Sequence, residues 1–181
     1  MCVHGSGQAQ CTLQGNLARR AAEKVGAVRT AVRQRLIASN VTYGFGSAAR
    51  GSDLIFLEEL LSLGGRARVY LPFPRQDFAR TSVGYGWDDR YYTVLNHDKV
   101  EVIELSTQVP PSDDRRNAAY QDCNAKILEA AQSQAKLLNQ KPILFAVWNG
   151  TPGDGKGGTA DAVRAWQAKG YEVQLIDISK L

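Results

Sequence analysis

Apolar and polar positions along the chain follow two periods that alternate in a regular order. Over residues 17–37, Leu17, Ala21, Val25, Val28, Val32 and Leu36 recur at steps of three and four, which predicts an amphipathic helix. VTYGFG (41–46) reads as a short strand ending on glycine. SDLIFLEELLSLGG opens with the cap residues Ser52 and Asp53 and closes on Gly64 and Gly65, so it predicts a helix with both ends marked. ARVYLPF (67–73) predicts a strand broken by Pro72. The next stretch is less regular, carrying Gly84, Gly86 and the aromatic residues Tyr85, Trp87, Tyr91 and Tyr92, with a helix predicted over 88–97.

KVEVIEL alternates as a strand, VPPSDDRRN is a turn-rich loop, and 117–138 predicts a long helix. PILFAVWNG is a continuous apolar run between proline and glycine, the pattern of a strand covered on both faces. A helix over 158–169, stopped by Gly170, and a last strand in YEVQLIDI complete the order. At the start, MCVHGSG reads as a clipped first strand followed by a small-residue turn. Strands alternating with helices at this spacing imply βαβ units joined by right-handed crossovers. The expected fold class is α/β, a three-layer doubly wound domain with a mostly parallel central sheet. Residues 1–181 are expected to form a single domain, since no internal repeat or long linker divides them.

Composition narrows this picture only slightly. A length of 181 residues, 44% hydrophobic and 22% charged, suits one globular domain. The net charge is +4, with basic and acidic residues interspersed. Arg29, Arg33 and Arg35 are the densest basic group, and read either as a solvated helix face or as a patch for an anionic partner. Nucleic acid therefore remains an alternative partner and not the leading one. Cys2, Cys11 and Cys123 form no C-x-x-C pair and, with only His4 and His97, no metal-ligand cluster. No metal or required cofactor is expected, and reduced thiols fit a cytoplasmic location. No membrane-spanning run or secretory signal is expected.

Ligands of open parallel sheets bind outside the carboxyl ends of the strands. Three strand-end loops carry unusual chemistry. In GFGSAARGSD, Gly46, Ser47, Arg50, Gly51, Ser52 and Asp53 lie where a strand turns into a helix, and helix-start amides with small neighbours suit a phosphate. The bland alternative is a tight turn with Ser52 and Asp53 as caps. In WNGTPGDGKGGT, the glycines permit a close backbone wrap, Lys156 offers charge, and Gly157, Gly158 and Thr159 open a helix. Its spacing matches neither the dinucleotide nor the Walker pattern. In LPFPRQDF, Phe73 either stacks on a flat base or belongs to the core.

The stretches YGFGSAARGSDLIFLEELLSLGGRARVYLPF and FAVWNGTPGDGKGGTADAVRAWQAKGYEVQLID resemble the two glycine motifs of the SLOG superfamily. These Rossmann-like domains occur in lonely-guy cytokinin-activating enzymes, DNA-processing proteins, the N-terminal region of TRPM channels and bacterial NAD-linked defence sensors. The chain is particularly similar to bacterial versions attached to signalling proteins. The resemblance implies a pocket for nucleotides or ADP-ribose-like molecules, with Gly46, Ser47, Arg50 and Gly51 in one loop and Gly157, Gly158 and Thr159 in the other. It also implies homodimers and a fused or associated effector. Hydrolytic members carry a glutamate three residues after the Gly-Thr pair, and Ala162 stands there instead. Asp161 lies one residue early, about 100° round the helix.

The expectation is thus a domain that binds or senses a nucleotide-derived ligand. The alternative is an N-glycosidic hydrolase or transferase using Asp161, or Glu58 on the helix after the first loop. For Glu58 and Glu59 the bland reading is an exposed helix face.

Overall fold

The computed structural model describes residues 14–148 and 158–181. In chain order the elements are α1 (Gln14–Ala38), β1 (Tyr43–Gly46), α2 (Ser52–Ser62), β2 (Arg66–Leu71), α3 (Arg75–Phe78), α4 (Asp88–Leu95), β3 (Val100–Glu104), α5 (Asp113–Leu137), β4 (Ile143–Val147), α6 (Thr159–Ala168) and β5 (Glu172–Ile176). A π-helical turn, Ala79–Val83, extends α3, and a short 3-10 turn, Ile178–Lys180, follows β5. The fold is α/β with parallel pairing throughout. β1, β2 and β3 form one ladder in that order, and β4 and β5 form another.

Local chemistry explains the boundaries. α2 stops where Gly64 adopts a positive φ of 85°, and the amides of Gly64 and Gly65 turn back to the carbonyls of Leu61 and Leu60. A side chain at Gly65 would put its Cβ 2.5 Å from the Leu60 side chain, so the turn requires glycine. α5 begins at Ser112, whose hydroxyl accepts from the Arg115 amide, and Asp113 and Asp114 complement the helix dipole. The irregular region after β2 hides α3 and its π turn. Phe78, Ala79 and Val83 are its buried apolar positions, and they fit neither a helical nor a strand period.

Two layers of contact place β1. Gly44 turns to α2, where Leu60 and Phe56 leave no room for a Cβ. Its neighbour Phe45 turns the opposite way and packs on Leu128 and Ala131 of α5 and Trp166 of α6. Successive strand residues point to opposite faces, so β1 carries helices on both. The main core joins Val28, Val32 and Leu36 of α1 to Leu54, Leu57 and Leu60 of α2, Val69 and Leu71 of β2, and Ile176 of β5. The α1 helix also reaches the second sheet, where Arg35 donates to the Leu175 carbonyl and Ser39 receives Gln174. No helix of the described residues is long and apolar enough to cross a membrane.

The basic group on α1 stays partly in contact with solvent, but two of its arginines are paired with carboxylates of α2 and do not form an open patch. Arg29 pairs with Glu58 at 2.5 Å and with Glu59, and Arg33 pairs with Glu59 at 2.9 Å. Arg90 of α4 completes the network on Glu58 with bonds of 2.6 and 2.7 Å. The expected exposed face at Glu58 and Glu59 is corrected accordingly, since Glu59 is buried and Glu58 is mostly covered. Long-range pairing makes this stretch a clamp between α1, α2 and α4.

Candidate functional site

Between β1 and β4 lies a cavity of about 1870 Å³. All of Tyr43–Gly46 and all of Ile143–Val147 line it. Its lining changes along its length, most clearly on α5. Asn117, Tyr120, Gln121 and Asn124 come first, and Ile127, Leu128 and Ala131 follow on the same helix. On α5 the lining is thus polar near the helix start, beside the residues that follow β1, and mostly apolar in the middle, with Gln134, Gln140 and Lys141 lining the cavity beyond.

Near the start of α5, the turn after β1 and the described end of the second glycine-bearing stretch line the same cavity. Gly46, Ser47, Ser52 and Asp53 from the turn after β1 line the cavity, and so do Gly158, Thr159 and Asp161 at the start of α6. Gly46 leaves open space, since a Cβ there would meet nothing within 4 Å. Gly51 holds a φ of 95° at the N-cap of α2, and Gly158 caps α6, neither helix receiving a side-chain cap bond. The amides of a helix's first turn have no carbonyl of their own helix to bond, and they carry the positive end of its dipole.

Each first turn already holds a carboxylate. Ser47 donates to Asp53 at 2.5 Å, and Asp161 pairs with Arg164. Asp161 and Ala162 both line the cavity. Ser82, from the π turn, shares a hydrogen bond of 2.8 Å with the Tyr120 hydroxyl, and both line the cavity. These two, with Asn117, Gln121 and Asn124, are site residues that sequence reasoning missed. The available signal was a polar row on one face of α5 giving way to an apolar one.

Other expected site residues lie elsewhere. Phe73 is fully buried between Phe78 and Tyr120, with ring centroids 6.0 and 5.7 Å away, so it has no free face for a base. Arg50 and Gly51 do not line the cavity. The Arg50 amide bonds the Ser82 carbonyl and its guanidinium lies 6.0 Å from the Trp87 ring. Glu58 sits in the arginine network, away from the cavity. Burial by itself raises its carboxyl pKa, but hydrogen bonds and charge from Arg90 and Arg29 outweigh that and hold it below the ordinary range. With both oxygens held by arginines and no place in the cavity lining, this carboxylate is not positioned to act on a ligand bound there. Lys156 and Gly157 lie outside the described residues.

Cys123 is buried, and its thiol donates to the Tyr70 carbonyl at 3.3 Å. Burial, and then the nearby Asp53 charge, push its pKa up to about 12, so it is no nucleophile at neutral pH. Among the described residues no cluster of His, Cys, Asp and Glu is arranged to hold a metal ion. No protein-family model matches the chain, and no curated protein does either.

Proposed function

We propose that the chain binds a phosphate-bearing nucleotide derivative of the ADP-ribose and NAD type, as a ligand-binding or sensor domain. One observation carries this reading. The starts of α2 and α6, far apart in sequence, open without side-chain caps on the same cavity. Backbone amides at such ends suit phosphate oxygens. The motif resemblance to the SLOG superfamily points the same way.

The two carboxylates refine the ligand. Bare phosphate would meet Asp53 and Asp161 as like charges, whereas a ribose phosphate can offer hydroxyls to them and phosphate oxygens to the amides. The hydroxyl and amide groups of Ser82, Tyr120 and Asn124 suit ribose and base edges. Thermal-shift titration with ADP-ribose, NAD, AMP and inorganic pyrophosphate tests this. Nucleotides should stabilise the protein by about 2.7 kcal/mol at a hundredfold excess over Kd, and pyrophosphate by much less. No stabilisation by any nucleotide would end the proposal.

The position of Asp161 on the cavity favours a second reading, N-glycosidic cleavage of the bound nucleotide, in which a carboxylate stabilises the developing oxocarbenium centre. Release of free base from AMP or NAD, abolished in Asp161→Asn, would support it. Absence of release, or turnover unchanged in the variant, would remove it.

A further inference from the structure

Tyr120 is half-buried in the cavity wall, and its hydroxyl lies 2.8 Å from that of Ser82. Distance alone does not fix which of the two donates, but the neighbours of Ser82 do. The Thr81 hydroxyl lies 3.0 Å from the Asp77 carbonyl and 3.4 Å from that of Phe78. A carbonyl only accepts, so the single proton of Thr81 is turned to the backbone. Toward Ser82, 3.3 Å away, the Thr81 oxygen is then an acceptor. Ser82 donates to Thr81 and accepts from Tyr120. Chemistry favours the same direction, since a phenol is a better donor and a poorer acceptor than an aliphatic alcohol. The relay thus runs away from the cavity, from Tyr120 to Ser82, Thr81 and the Asp77 carbonyl.

The backbone holds this relay in place. Thr81 and Ser82 belong to the π turn, which the Gly84 amide closes on the Ala79 carbonyl at 2.9 Å. Turns of this type recur at functional sites. The Ser82 carbonyl takes the Arg50 amide at 2.9 Å, which ties it to the turn after β1. The Tyr120 ring stands edge-on to Phe73, with centroids 5.7 Å apart.

A phenol whose proton is committed behind it presents only lone pairs to the cavity. Asp53 and Asp161, which line the same cavity, are also acceptors when ionised. A phosphate oxygen or a carbonyl set against Tyr120 would meet lone pair with lone pair, whereas an N–H or O–H group would be bound.

We infer that Tyr120 is a specificity-determining residue that accepts a hydrogen bond from the nucleoside part of the ligand, a ribose hydroxyl or an exocyclic amino group. Ser82 is the residue that positions it, by taking the phenol proton. This assignment rests on the nucleotide reading above and adds the polarity of one contact to it. It selects adenine nucleotides, which carry an amino group on the base and hydroxyls on the sugar, over analogues with a carbonyl or a hydrogen at the contacted position.

Calorimetric titration of the full chain with matched nucleotides tests it. AMP is compared with IMP, in which a carbonyl replaces the amino group, and with the forms of AMP lacking one ribose hydroxyl. At least one replacement should weaken binding by about tenfold, and the arm in which this happens names the group that Tyr120 meets. Tyr120→Phe, checked for folding by its melting curve, should bring that pair to within about twofold. Ser82→Ala keeps the phenol but frees its proton to turn into the cavity, so the ratio should narrow by about threefold or more. A parental ratio in Tyr120→Phe overturns the inference, as do replacements that all bind as AMP does. A parental ratio in Ser82→Ala overturns the relay. Flat titrations with every nucleotide would instead remove the nucleotide reading itself, and this assignment with it.

Discussion

Removing the buried charge of Glu59 is the sharpest test of the clamp between α1 and α2. Its side chain is 6% exposed and holds Arg29 and Arg33, which are themselves 38% and 45% exposed. Breaking a fully buried ion pair costs about 3–5 kcal/mol, mostly because one charge is stranded. Here the surviving arginines can turn toward water, and Arg29 keeps Glu58, so the cost of Glu59→Gln falls to about 2–3 kcal/mol. For a chain of this size that is a drop in Tm of about 5–10 °C. Urea unfolding should show a lower midpoint with an unchanged slope. The cycle combining Arg33→Gln with Glu59→Gln should return a coupling of about 1 kcal/mol. A loss below about 0.5 kcal/mol in Glu59→Gln would refute the network as a clamp and make it a surface decoration.

Further outcomes follow from the same contacts. Gly44→Ala should cost about 1–3 kcal/mol by urea unfolding, because the added Cβ would lie 2.9 Å from the Phe56 ring, whereas Gly46→Ala, with open space, should leave stability within about 0.5 kcal/mol. Cys123 should resist alkylation by iodoacetamide at pH 8 in the folded protein and react readily in urea, as peptide mapping would show. The Glu58 carboxyl is held below its ordinary range in the fold, so its contribution is complete above the unfolded value of about 4.3 and is lost as pH falls through the lower folded value. Stability of Glu58→Gln should therefore fall less steeply than that of the parent protein below about pH 4.3, in urea titrations at stepped pH.

Much of the fold could be read locally. The Ser52 and Gly64 signals bracket α2, and the apolar run before Trp148 marks β4 to within a residue at each end. The glycine turn after β1 was also legible, because strand, small residues and helix follow in sequence. What escaped was set by distant partners. Glu58 and Glu59 look like an exposed pair until Arg29 and Arg90, roughly thirty residues to either side, are brought against them. Phe73 has the exposed look of a residue between two prolines, and its burial depends on Tyr120 arriving from α5. The polar face of α5 carries no motif, and its meaning comes from lying opposite the turn after β1.

The cavity has one wall early in the chain and the other late. Residues up to β3 already share most of the main core, whereas β4 and β5 begin some hundred residues after β1. Contacts across such a separation form slowly, and a growing chain leaves the ribosome from its first residue onward. A ribosome paused before Ile143 would thus hold a nascent half-domain with an apolar flank and no binding chamber. The flank is covered only when β4 and β5 are added, in the last quarter of the chain.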